Sequence, residues 1–126
     1  MRRILLTAAL LTGFAGPALA QRQGDYAVAG QTPDGQRYTG SLQMIPSGQN
    51  TWLVNWRVAG DTAAGVGLLI PEGPLLVVGY LAGRDVGVVA YAVQPDGRLL
   101  GTWTQGQGGG IGSETLTPAG GGSAGK

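Results

Sequence analysis

The sequence predicts an all-β domain, a single antiparallel eight-stranded up-and-down barrel, with a two-sheet β-sandwich as the alternative. Three observations carry this reading. The chain has 25 Gly and 7 Pro in 126 residues, and no window of a dozen residues between Asp25 and Pro118 is free of both. Each glycine inside a helix would cost about 1 kcal/mol, so helices are disfavoured throughout. Short runs of β-branched and aromatic residues recur instead, bounded by turn formers, and their spacing suits hairpins between sequence neighbours.

Eight such runs follow one another, over residues 25–30, 37–45, 51–59, 62–70, 75–82, 86–94, 98–104 and 111–117. Pro33-Asp34-Gly35 closes the first hairpin and Pro95-Asp96-Gly97 a later one. In both, proline fixes φ at a turn position and glycine supplies positive φ. Tyr26-Ala27-Val28 precedes the first of these turns and Tyr91-Ala92-Val93 the second, a recurrence of one strand-turn solution at unequal spacing. Pro46-Ser47-Gly48-Gln49 reads as a loop, and Gly60-Asp61, Glu72-Gly73-Pro74 and Gly83-Arg84-Asp85 mark further turns.

The third run, Trp52-Leu53-Val54-Asn55-Trp56-Arg57-Val58, alternates, which puts Trp52, Val54, Trp56 and Val58 on the inner face and Asn55 and Arg57 outside. Leu75-Leu76-Val77-Val78 and Val86-Gly87-Val88-Val89 alternate less cleanly, as expected of strands covered on both sides or lining an interface. An apolar outer face there would mark a partner surface. Glycines fall within the runs at Gly40, Gly65, Gly67, Gly79, Gly87 and Gly101, where they permit the bends that close a barrel. With the fourth run paired to the third, Gly65 or Gly67 faces Trp52, Val54 or Trp56 according to register. A tryptophan lying over a cross-strand glycine fills the missing volume.

The ends of the chain read differently. Arg2 and Arg3, an apolar stretch from Ile4 to Ala15, and Ala18-Leu19-Ala20 after Pro17 have the three parts of a secretory signal, with cleavage expected after Ala20. The apolar stretch is too short to span a bilayer as a helix. Residues 1–20 are thus expected to be a removed signal, 21–118 the barrel, and 119–126 a disordered Gly/Ser tail, in a periplasmic or secreted protein. From residue 21 onward six Lys and Arg stand against seven Asp and Glu, a net charge of −1. Such a balance offers nothing to a run of phosphates, so nucleic acid is not an expected partner.

Cys and His are both absent. A zinc site of the usual kinds, a nucleophile paired with His and a disulfide framework are therefore excluded, and no metal or cofactor is implied. Asp34, Asp61, Glu72, Asp85 and Asp96 lie beside Gly or Pro at turns, where they cap backbone or face water. Gly106 to Gly112 lacks the Lys-Ser/Thr end and following helix of a phosphate loop. Glu114 is different, because alternation puts it on the face of Leu116. Inside, it would need a partner such as Arg57, Arg98 or a Trp N–H; otherwise it sits exposed at the rim. One carboxylate without a second is a thin basis for hydrolysis, so the chain reads as a non-enzyme. Trp52, Trp56, Trp103, Tyr38, Tyr80 and Tyr91 form an aromatic set that either fills the core or lines an apolar ligand pocket.

The order Tyr26-x-Val28-x-Gly30, Pro33-Asp34-Gly35-x-x-Tyr38-x-Gly40, Trp56, Tyr91, Pro95-Asp96-Gly97-x-Leu99-x-Gly101-x-Trp103 and Gly112-x-Glu114-x-Leu116-x-Pro118 resembles small exported alphaproteobacterial proteins often labelled fibronectin-binding. The resemblance spans nearly all of the chain after residue 20 and carries no catalytic residue across. It implies cysteines near the positions of Trp52 and Gly67 in many relatives, where this chain has a large and a small residue instead. Three readings of function follow. The first is an exported interaction module for a protein or surface glycan, as the family label implies. The second is a carrier of a small apolar ligand, and the third a periplasmic hydrolase inhibitor.

Overall fold

A computed structural model describes residues 23–119. The expected signal segment and the tail from residue 120 lie outside the described residues. Eight strands, β1 (Gly24–Gln31), β2 (Arg37–Gly48), β3 (Thr51–Val58), β4 (Asp61–Ile70), β5 (Leu75–Ala82), β6 (Asp85–Val93), β7 (Leu99–Gln105) and β8 (Gly112–Pro118), form one closed antiparallel barrel in sequence order. Closure is made by β1 against β8, from Tyr26 opposite Pro118 to Gln31 opposite Ser113. No strand edge is left unpaired, which removes the sandwich alternative.

The two Pro-Asp-Gly turns have one structure. Gly35 N–H donates to Thr32 O and Gly97 N–H to Gln94 O, each at 2.9 Å, with φ of 94° and 93° at the glycines. Two boundaries differ from expectation. The turn after β3 is Ala59-Gly60, both at positive φ, and Asp61 belongs to β4 opposite Val58. A two-residue hairpin loop needs positive φ at both positions to match strand twist, so the turn starts one residue earlier than Gly60-Asp61 suggested. The segment Pro46-Ser47-Gly48 is also not a loop. It continues β2 through a bulge between Pro46 and Gly48, where proline's missing N–H breaks no ladder bond, and the turn passes to Gln49-Asn50.

Inside the barrel, large rings meet bare backbone. Tyr38 stands opposite Gly30, Trp52 opposite Gly67, Tyr80 opposite Gly87, Tyr91 opposite Gly101 and Trp103 opposite Gly112. A β-carbon on Gly30, Gly87 or Gly112 would overlap its partner's ring, and one on Gly101 would stand 2.6 Å from Tyr91 Cδ1. The rings lie flat on these glycines, the aromatic rescue of an in-strand glycine. Gly79 is the exception among the expected bend-makers, since it faces outward and a β-carbon there would touch nothing.

The interior is filled unequally. Toward the end where β1 begins and β8 ends, Met44, Leu76, Leu99 and Leu116 are completely enclosed, and Trp52 joins them beside the Gln49-Asn50 turn. Toward the other end Tyr38, Val58, Ala63, Tyr80 and Trp103 are only partly buried. Outside, Val66 and Leu68 of β4, Leu81 of β5 and Val86 and Val88 of β6 are exposed. The outer wall of β1 and β8 instead presents Asp25, Gln31, Ser113 and Thr117. The weak alternation of β5 and β6 thus reflects apolar residues on both faces.

The ring-over-glycine packing sets an order of substitution effects. Trp52→Ala removes a buried ring and should destabilise the fold by about 3–5 kcal/mol. Gly101→Ala, which forces a β-carbon against the enclosed Tyr91, should cost about 1–3 kcal/mol. Gly67→Ala meets its nearest side-chain atom at 3.3 Å and should cost less. Urea unfolding midpoints for the three variants check this; equal effects of Gly101→Ala and Gly67→Ala would contradict the packing.

Candidate functional site: the open end of the barrel

The alternation of β8 places Glu114 and Leu116 on one inward face, and both are buried, Glu114 at 7% exposure. Leu116 packs into the filled half. Glu114 lies nearer the start of the strand, where the half-filled region begins. The rim-exposed alternative for Glu114 is therefore not what the fold adopts.

Three donors converge on this carboxylate. Tyr38 Oη donates to Oε1 at 2.8 Å, while Trp56 Nε1 and Tyr91 Oη donate to Oε2 at 3.1 and 2.5 Å. Of the partners expected from the sequence, the Trp N–H is the one used. Arg57 points outward, and Arg98 turns to Asp96 on the surface at 2.9 Å. Hydrogen bonds to a charged group contribute roughly 1.5–3 kcal/mol each. Three of them offset a desolvation cost of several kcal/mol per buried ion. Each donor comes from a different strand, β2, β3 and β6, so Glu114 ties four strands together across the barrel.

Above Glu114 the interior opens into a chamber of about 350 Å³. Its walls are Tyr38, Trp56, Tyr80 and Trp103, and Val89 and Ala63 line it between the rings. Trp56 and Tyr80 are tilted against each other with centroids 5.0 Å apart, and Tyr38 meets Trp103 edge-on at 6.3 Å. The mouth lies among the ends of the odd-to-even hairpins, marked by Thr32, Ala59, Ala82 and Gln105. Tyr80 Oη donates to Gln105 Oε1 at 3.0 Å, and Trp103 Nε1 to Ser113 O at 3.2 Å. The ring hydroxyls and indole N–H groups of the four wall residues are thus occupied.

Of the seven residues singled out from the sequence, five line this chamber: Tyr38, Trp56, Tyr80, Trp103 and Glu114. Tyr91 is enclosed and reaches the site through Glu114. Trp52 is remote from it, and its Nε1 is buried without an acceptor, so it belongs to the packed half. Gln105 was missed, because a glutamine at a strand end carries no signal of direction. The choice between filled core and pocket resolves by position along the barrel, with both present.

No family model matches the chain, and no curated protein matches it. The fold is a closed eight-stranded antiparallel barrel, and solved β-barrel structures resemble it. A redesigned β-barrel, b11L5F_LGL, aligns with a TM-score of 0.70 at 17% identity over 83% of this chain and 95% of its own. The redesigned barrels mFAP1 and mFAP0, each bound to DFHBI, align at TM-scores of 0.65 and 0.64 with 16% and 17% identity. They cover 82% and 79% of this chain, and 97% and 98% of their own. At such identities the likeness is one of fold.

Burial first and the charge of Glu114 second raise the phenols of Tyr38 and Tyr91 well above the ordinary value of 10.0. The same two causes push Tyr80 up to about 12. Below pH 10 the folded and unfolded chains both hold these protons, so the contribution to stability is complete. As pH rises from there toward the folded values, only the unfolded chain ionises and stability falls. Phenolate absorbance and melting temperature measured together should show these three tyrosines ionising only as the fold is lost. Ionisation of all tyrosines near pH 10 with the barrel intact would contradict the site.

Proposed function

We propose that the protein is a small-molecule-binding barrel that takes an aromatic or apolar ligand into its open end, the carrier reading of the sequence. One observation carries this. The interior is packed at one end, yet at the other four aromatic rings and a hydrogen-bonded carboxylate surround about 350 Å³, within the size range of ligand pockets. The four rings touch in two pairs, and this volume stays open beside them. Two structural neighbours, the redesigned barrels mFAP1 and mFAP0, are bound to DFHBI, which supports the reading by fold-level analogy.

The neutral fluorophore N-phenylnaphthylamine tests it. The chain should bind it saturably at one site, and Ala63→Phe, which fills the chamber, should weaken binding by about tenfold or more while leaving the melting temperature in place. Absent saturation, or equal binding by Ala63→Phe, would count against the chamber.

A second reading rests on the outer wall. The exposed strip of Val66, Leu68, Val86 and Val88 is the apolar face expected of an interaction module for a protein or surface component, as the fibronectin-binding resemblance implies. On this reading Val66→Lys with Val88→Lys abolishes saturable binding to immobilised fibronectin and leaves the chamber's ligand binding intact. Fibronectin binding unchanged by the pair would remove this face from consideration.

A further inference from the structure

The charge balance around Glu114 specifies a ligand. Its carboxylate is nine-tenths buried and receives three hydrogen bonds, all from uncharged donors. Ionised, it offers acceptors only, and the three donors match that form. Among the described residues the cations are Arg37, Arg57, Arg84 and Arg98, and every one is exposed. None of them neutralises Glu114. The second carboxylate at the chamber, Asp61, stands at the mouth and adds negative charge there.

The hydrogen bonds are also unevenly shared. Oε2 accepts two donors and Oε1 only one, so Oε1 keeps acceptor capacity on a group that lines the chamber. Around it stand the rings of Trp56, Tyr80, Tyr38 and Trp103. Aromatic faces carry negative quadrupole potential and attract cations, most strongly where water is excluded. A neutral ligand would leave the buried charge unpaired, and an anion would meet two carboxylates with no cation beside it.

We infer that the chamber binds a protonated organic amine with an aromatic or alicyclic body, its ammonium donating to Glu114 Oε1 and its body held among Trp56, Tyr80, Tyr38 and Trp103. This rests on the ligand-binding reading above and names the chemistry of that site. The amine is specified over a quaternary ammonium because Oε1 accepts a single hydrogen bond and has capacity for a second donor, which an ammonium N–H supplies. Removing its charge should lose most of the affinity, whereas removing ring contacts should weaken every ligand alike.

Three probes of one shape separate the possibilities on the unaltered full chain: 2-naphthylmethylamine, 2-naphthylmethanol and 2-naphthoate, titrated calorimetrically at neutral pH. The expected order is amine at least about tenfold tighter than alcohol, with no measurable binding of the carboxylate. Glu114→Gln should bring amine and alcohol within about threefold of each other. Ala63→Phe should weaken both. If amine and alcohol bind alike to the unaltered chain, or naphthoate binds best, the cation inference fails and the ligand-binding reading stands. If none of the three binds, both fail. The comparison on the unaltered chain decides the matter even where Glu114→Gln does not fold.

Discussion

Four aromatic rings that each lie against a directly opposed glycine, those of Tyr38, Tyr80, Tyr91 and Trp103, organise the interior of this barrel. An eight-stranded barrel is just wide enough for its own side chains. The rings of Tyr38, Tyr80, Tyr91 and Trp103 occupy space that a β-carbon on the opposed glycine would take, whereas Trp56 sits opposite Leu42 and Ala63. The pairs Tyr38 with Gly30, Tyr80 with Gly87, Tyr91 with Gly101 and Trp103 with Gly112 sit toward the same end as Glu114. Because their rings are flattened onto the wall, the axis of the barrel stays open above the carboxylate. At the other end Met44, Trp52, Leu76, Leu99 and Leu116 fill it.

That arrangement explains why a carboxylate is tolerated inside. Flattened rings bring two phenol hydroxyls and an indole N–H to one point on β8, so Glu114 is solvated by the protein in place of water. The same donors hold Tyr38, Tyr91 and Trp56 in fixed orientation, which keeps the walls of the chamber from collapsing inward. Removal of the carboxylate would orphan two buried donors at once, Trp56 Nε1 and Tyr91 Oη, each costing about 1–3 kcal/mol, and leave the partly buried Tyr38 Oη with Ser113 O. Site and fold are therefore one network, and the chamber's shape depends on the charge at its floor.

Much of this was legible in the sequence. Turn chemistry marked both Pro-Asp-Gly hairpins, strict alternation fixed the inner face of β3, and the relation of Glu114 to Leu116 gave its direction once Leu116 was inside. The short connection between β3 and β4 put Gly65 or Gly67 opposite Trp52, Val54 or Trp56, and the closed sheet fixes that register as Trp52 with Gly67 and Val54 with Gly65. What was not legible depended on three-dimensional register. The bulge that carries β2 past Pro46, and the turn at Ala59-Gly60, are choices among adjacent residues that propensity cannot separate. Whether six aromatics fill a core or frame a chamber depends on which glycines oppose them, and opposition is a property of the closed sheet. The partners of Glu114 were open for the same reason: Tyr38 and Tyr91 lie 76 and 23 residues away and meet only after closure.

The central claim is that the open end holds a ligand. Native mass spectrometry of the protein purified without denaturation, beside Ala63→Phe purified identically, tests it most directly. The account predicts a single small-molecule adduct on the unaltered chain, lost on unfolding and missing from Ala63→Phe. A bare chain in both preparations, or the same adduct on both, would contradict it.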